Sequence, residues 1–166
     1  HDALPILKSE ISKIGEILTN DYKDKNLYVL SLLRGSFIFA ADLVRAIDTK
    51  TQIGFMTTSS YGASEESSGT IKIINDIPDN IEGLDVLIVD DIMDTGYTME
   101  FIVNHVKKLG AKSVKTCTLL DKPSRRKVDL TPDYCCFTIE DLFVVGYGLN
   151  YGDYYRNVPY IFNWEK

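Results

Sequence analysis

No apolar run in this 166-residue chain approaches the roughly 18–20 residues needed to span a bilayer. No signal-peptide pattern opens it either. Basic residues are in the minority: 18 Lys and Arg stand against 24 Asp and Glu, for a net charge of −6 and a sequence pI of about 4.9. That balance excludes a nucleic-acid protein held by bulk charge and leaves room only for a local basic site. Cysteine is scarce. Cys117, Cys135 and Cys136 are odd in number, two of them are adjacent, and no CxxC pair occurs. A disulfide framework and a structural zinc site are therefore not expected. Small half-buried strand residues in a reducing cytoplasm are the plain reading. Only His1 and His105 offer an imidazole, and His105 sits at helical spacing among Val103, Val106 and Lys107. It reads as a surface or flank position, so histidine-based catalysis is not expected. No GxxxxGK[ST] loop is present. What remains is ordinary for a soluble globular protein, with 45% hydrophobic and 25% charged residues. The length suits a single domain, residues 1–166, with no internal repeat or linker.

The apolar spacing predicts an α/β domain. Leu4, Leu7, Ile11, Ile14 and Leu18 recur at steps of three and four, a helical stripe that the polar run 21–26 ends. Leu27–Leu33 predicts a buried strand, Arg34-Gly35-Ser36 breaks it, and helical spacing resumes over 37–47. Strands are predicted over 51–59 and 71–75. Between them, residues 59–70 hold five serines, two glycines and two glutamates without periodicity, which predicts a long exposed loop. Residues 84–89 form the clearest element: Val86-Leu87-Ile88-Val89 is continuously apolar, as in a parallel strand covered on both faces. A helix stripe follows at Met99, Ile102, Val103, Val106 and Leu109, stopped by Gly110, and a strand is predicted over 114–120. The order β, loop, α, β implies a right-handed crossover and a central, mostly parallel sheet flanked by helices. In the remainder, 143–147 is the most strand-like stretch.

Ligands in open α/β sheets bind beyond the carboxyl ends of the strands. After the apolar strand come Asp90, Asp91, Ile92, Met93 and Asp94, then Thr95-Gly96-Tyr97-Thr98. Three carboxylates in five residues repel one another without a counter-charge. Magnesium, or hydroxyls of a sugar, would settle them. The Thr-Gly-Tyr-Thr stretch opens a helix, where free N–H groups and the helix dipole make a phosphate seat. Gly96 lets the backbone come close, and the threonines add hydroxyl donors. The bland alternative is an acidic turn with a threonine helix cap.

The thirteen residues from Val86 to Thr98 resemble the phosphoribosyl-pyrophosphate (PRPP) motif of type I phosphoribosyltransferases. Four more segments resemble the hypoxanthine/guanine branch: Leu33-Arg34-Gly35-Ser36, Ser60-Tyr61-Gly62, Leu120-Asp121-Lys122-Pro123, and Phe143-Val144-Val145-Gly146-Tyr147-Gly148-Leu149 with Arg156. The resemblance implies the type I phosphoribosyltransferase fold, with a small hood of loops and C-terminal segments over the sheet. It implies a purine-salvage transferase that makes nucleotide and pyrophosphate from PRPP and a 6-oxopurine. Magnesium is the implied cofactor, a homodimer or homotetramer the implied assembly, and the cytoplasm the expected location. No nucleic-acid or membrane partner is expected.

The same resemblance assigns roles. Asp90 and Asp91 would meet the ribose 2′- and 3′-hydroxyls, directly or through magnesium, and Asp94 would be the general base at purine N7. Thr95, Gly96, Tyr97 and Thr98 would hold the 5′-phosphate. Arg34, Gly35, Ser60, Tyr61 and Arg156 would face pyrophosphate, with a non-proline cis peptide frequent in the family at the first of these. Many members carry Lys where this chain has Arg34, a change of small consequence where the backbone does the binding. Ile92, Lys122, Phe143, Val144 and Asn150 fall to the purine, with Phe143 stacking on it. The Lys122 ammonium has donors only, so it suits a 6-oxo group and rejects a 6-amino group. Residues 59–70 resemble the family's mobile lid. Whether Arg125 or Arg126 reaches the site stays open. Two other readings also stay open: a PRPP-binding regulator without catalysis, and a magnesium phosphohydrolase built on Asp90, Asp91 and Asp94.

One position departs from the pattern. Where the family usually places an aspartate that helps bind a second magnesium, this chain has Asn150, whose amide oxygen can ligate but brings no charge. The metal set implied is thus Asp90, Asp91 and Asn150. Activity of the wild type should need more magnesium than that of Asn150→Asp. Superimposable magnesium-activation curves for the two proteins would reject this.

Overall fold

The computed structural model describes residues 3–61 and 70–164. Helix α1 (Ala3–Asp21) buries the predicted stripe at Leu7, Ile11, Ile14 and Leu18. Strand β1 (Leu27–Leu33), helix α2 (Phe37–Arg45), and strands β2 (Thr51–Tyr61) and β3 (Thr70–Asn75) follow. Then come β4 (Asp85–Met93), α3 (Tyr97–Lys108), β5 (Ser113–Asp121), a 3-10 turn (Pro123–Arg125) and β6 (Tyr134–Thr138). Short strands β7 (Val144–Val145) and β8 (Phe162–Asn163) close the order.

Six strands form one sheet in the order β3-β2-β1-β4-β5-β6, parallel throughout except for β3, which runs antiparallel to β2. The expected mostly parallel sheet is what forms. From β1 the chain moves outward to β2 and β3, then returns to lay β4 on the other side of β1. The strand order reverses between β1 and β4, and such a switch point opens a crevice at the strand tips.

Both faces of the sheet are covered. Leu27, Val29, Leu87, Val89 and Leu119 pack with α1 and with Phe39 and Leu43 of α2. Tyr28, Leu30, Val86 and Ile88 pack against Met99, Ile102 and Val106 of α3. This two-sided burial is why the β4 run shows no polar alternation. Each fully buried side chain of this kind contributes about 1.5–3 kcal/mol, so the strand tips rest on a rigid base. A smaller antiparallel pair, β7 with β8, forms the hood's sheet.

Several boundaries differ from expectation. Strand β4 does not stop at Val89: its ladder with β5 continues through Asp90↔Thr118, Ile92↔Leu120 and Met93↔Asp121. Asp90 and Asp91 are therefore strand residues rather than a loop beyond the strand. Helix α2 ends at Arg45, where Ala46 and Ile47 make tight terminal bonds to Leu43 and Val44. Ser59, Ser60, Tyr61 and Thr70 belong to the β2–β3 ladder, so the expected loop is shorter, and residues 62–69 lie outside the described residues. Of the stretch 143–147, only Val144 and Val145 are strand, and β6 is an addition.

The three cysteines are free, Cys117 and Cys136 being buried. Burial pushes all three thiols up, Cys136 to about 12. His105 sits on the flank, with Nε2 within 2.9 Å of Asp76 Oδ1. Among the described residues no helix is long and apolar enough to cross a membrane.

Candidate active site

The tip of β1 is held by its own serines. Ser36 Oγ donates to Leu32 O at 2.5 Å and lies 2.8 Å from Ser31 Oγ, both serines fully buried. The Leu33–Arg34 peptide is cis, and Phe37 N–H closes the turn onto Arg34 O at 3.2 Å. The Arg34 side chain is exposed. A Cβ on Gly35 would lie 1.8 Å from Asp91 Oδ2, so the Asp91 carboxylate rests directly on the Gly35 backbone. On the other side, a Cβ on Gly148 would lie 2.4 Å from Gly35 O, and Gly148 has φ +99°. Arg156 completes this layer: its Nη1 donates to Gly148 O at 2.7 Å, and Gly148 N–H donates back to Arg156 O at 2.9 Å. The turn after β1, the end of β4 and the C-terminal segment thus meet at one point.

Asp90 and Asp91 are half-buried and hydrogen-bonded to each other. Each carboxylate also accepts the next residue's N–H: Asp91 N to Asp90 Oδ1 at 2.9 Å, and Ile92 N to Asp91 Oδ1 at 2.8 Å. Burial pushes both carboxyls up, and the charge of Asp91 pushes Asp90 further. The Asp90 hydrogen bond and the Arg156 guanidinium hold Asp91 back. Burial and like charge both disfavour the doubly ionised pair, and a cation would relieve that cost. Among the described residues no group of three or more His, Cys, Asp or Glu converges. Two carboxylates with the other positions left to water and substrate oxygens fit magnesium, which keeps several waters and binds through one or two carboxylates.

Asp94 does not join this pair, contrary to the expectation of a three-acid cluster. Its Oδ1 accepts a hydrogen bond from Arg125 Nε at 2.5 Å. Arg125 Nη1 also donates to Asp141 Oδ2 at 3.4 Å, and Lys122 Nζ stands 3.7 Å from Asp141 Oδ1. Lys122 is buried at the end of β5, its N–H donating to Met93 O at 2.9 Å. Arg126 braces the same loop from behind. It donates to Asp94 O at 3.1 Å, to Leu130 O at 2.7 Å and to the Asp121 carboxylate. Both arginines therefore reach the site. Asp141, two positions before Phe143, is a site residue that sequence reading missed, because nothing local marks an acid that pairs across separate loops.

Helix α3 begins after Gly96, whose φ is +91° and which no side chain caps. The threonine-cap alternative therefore does not hold. Thr95 Oγ1 lies only at the edge of bonding range, 3.5 Å from Tyr97 N. The first-turn N–H groups of a helix lack intrahelical acceptors, and here they open on a cleft of about 130 Å³ lined by Asp90, Ile92, Met93, Asp94, Thr95, Gly96, Thr98 and Met99. Gly96 is buried beneath Val128 and Arg126. Ile92 is partly buried against the core.

Phe143 precedes the hood strand and is 53% exposed. Tyr151 meets its ring edge-on at 5.9 Å, and Trp164 stacks on Tyr151 at 4.2 Å. Val144 pairs with Asn163. Asn150 is exposed, and its Nδ2 donates to Gly152 O at 2.7 Å. Ser60 and Tyr61 lie in the β2–β3 ladder opposite Ile71 and Thr70, and their side chains lie outside the described residues. A larger cleft of about 700 Å³ lies between α1, α2 and the C-terminal segment and shares only Arg156 with the site.

The phosphoribosyl transferase domain model matches residues 2–152. The chain is 45% identical over 167 residues to the hypoxanthine-guanine phosphoribosyltransferase of Bacillus subtilis, covering 97% of this chain and 93% of that protein. It is 46% identical over 149 residues to the Streptococcus pyogenes enzyme of the same name, covering 90% and 83%. Among solved structures, a hypoxanthine phosphoribosyltransferase from Staphylococcus aureus superposes with a TM-score of 0.95 at 42% identity, covering 98% of this chain and 89% of that one. A variant of the Trypanosoma cruzi enzyme in a ternary substrates complex superposes at 0.92 with 35% identity, covering 98% and 92%.

In Gly35→Ala the new methyl must displace the Asp91 carboxylate, since it would sit 1.8 Å from Oδ2. Turnover should fall about 10²-fold, as expected for a misplaced group, with little change in melting temperature. Activity near that of the wild type would show that the packed carboxylate has no part in the reaction.

Proposed function

The chain belongs to the phosphoribosyl transferase family, and from that membership we propose how its residues divide the work of a purine-salvage transferase. The reaction takes hypoxanthine, and guanine next, with PRPP to IMP or GMP and pyrophosphate. The observation that carries the reading is the convergence of three features at the β1–β4 switch point. They are a backbone turn at Gly35, the Asp90–Asp91 pair, and the uncapped start of α3.

These features suit the parts of PRPP. The α3 amides with Thr95 and Thr98 would take the 5′-phosphate, as helix N-termini do. Asp90 and Asp91 would accept the ribose hydroxyls and hold magnesium, which when bound supplies positive charge to the leaving pyrophosphate. The Arg34–Gly35 backbone and Arg156 would face that pyrophosphate. On the purine side, Lys122 would donate to the 6-oxo group, Phe143 would cover one face of the ring, and Val144 would meet its edge. Purine N9 then attacks ribose C1′ while the C1′–O bond to pyrophosphate breaks and its electron pair leaves with the pyrophosphate. The N7 proton passes to Asp94. Positioning and preorganised charge carry most of the catalysis in such a transfer.

The phosphohydrolase reading needs Asp90, Asp91 and Asp94 around one cation, and the pairing of Asp94 with Arg125 disfavours it. A cytoplasmic enzyme that assembles as a homodimer or homotetramer completes the proposal, and sedimentation would measure the assembly. Rates across hypoxanthine, guanine, xanthine and adenine test the rest. Hypoxanthine should lead, and Asp94→Asn should lose about 10²–10⁴ in kcat while still binding PRPP. Adenine as best substrate would overturn the role of Lys122, and PRPP binding without turnover would favour the regulator reading.

A further inference from the structure

Four charged side chains on three segments form a continuous chain: Asp94 to Arg125, Arg125 to Asp141, and Asp141 to Lys122. The two ends of this chain are the residues given to purine N7 and to the 6-oxo oxygen, which lie side by side on one edge of the purine. The two middle members, Arg125 and Asp141, have no part in the transfer as described above. We infer that Arg125 and Asp141 are positioning residues that set the spacing of Asp94 and Lys122, so that the two together read the N7/6-oxo edge of the incoming base.

Charge and geometry support this. The four groups alternate in sign along the chain, anion, cation, anion, cation, so each is held by an opposite charge beside it. Lys122 has only 9% of its side chain exposed, and a buried ammonium needs a partner. Asp141 provides one at 3.7 Å, beyond good hydrogen-bond length. The ammonium is thus held in place electrostatically, with its donors kept for a ligand. Arg125 engages Asp94 through Oδ1. A carboxylate has two oxygens and about four acceptor sites, so Asp94 can keep the guanidinium and still accept the N7 proton. The fork of Arg125 reaches both acids at once, through Nε and Nη1. A lysine in its place has a single point of charge.

The inference rests on the proposed purine transfer, and the test separates the two. Initial rates are measured with hypoxanthine and PRPP varied in turn for the wild type, Arg125→Ala, Arg125→Lys and Asp141→Asn. PRPP affinity is measured on the same preparations by calorimetry. Arg125→Ala and Asp141→Asn should each lower kcat/KM for hypoxanthine by about tenfold or more, with KM and affinity for PRPP within about twofold of the wild type. Arg125→Lys should recover part of the loss. Variants that match the wild type toward hypoxanthine overturn the inference, as does a weakening of PRPP binding equal to that of the purine, which signals general damage. A wild type that transfers to no purine overturns the function proposed above and this inference with it.

Discussion

Asp91 lies with its carboxylate where any side chain on Gly35 would have to be. That contact joins the turn after β1 to the end of β4, and it follows from the sheet. The two strands run parallel and level, Ser31 opposite Val89, so whatever follows each strand emerges at the same height. A rigid apolar base on both faces keeps them there. Gly148 then approaches the Gly35 carbonyl from the far side and brings Arg156 with it. Loss of this one close approach would separate the acids from the backbone turn and from the arginine together.

The acids at the strand tip divide into two environments. Asp90 and Asp91 share hydrogen bonds and burial, which pushes their carboxyls up and suits them to a hard cation or to hydroxyl donors. Asp94, a few residues on, is paired with a guanidinium instead. Just after Asp94 the chain turns into α3 through a buried glycine at positive φ, Gly96. A chain of net charge −6 can thus accommodate an anionic substrate without an overall positive field. In the proposed reading a local array of N–H groups and Arg156, with a cation when one is bound, would serve where bulk charge does not.

Much of this was legible in the sequence because its signals are local. The unbroken run Val86–Val89 announced a strand buried on both sides, and the stripe from Met99 to Val106 announced the helix behind it. The acid and Thr-Gly-Tyr-Thr stretch between them pointed to the candidate site, and the resemblance of the surrounding segments marked the family. What stayed hidden depends on partners distant in sequence. The end of β4 is decided by its ladder with β5, so Asp90 and Asp91 proved to be strand residues. The separation of Asp94 from the other acids is decided by Arg125, which comes from the turn after β5. Asp141 is decided in turn by where the loop before the hood lands. Composition and spacing carry no record of such meetings.

In the proposed function the tips of β1 and β4, with the start of α3, form the seat of PRPP. Isothermal titration of PRPP in the presence of magnesium, into the wild type and into the double variant Asp90→Asn/Asp91→Asn, tests it most directly. The wild type should bind at one site per chain, and the variant should bind at least about tenfold more weakly, or about 1.4 kcal/mol. No binding heat in the wild type, or equal affinity in the two proteins, would contradict it.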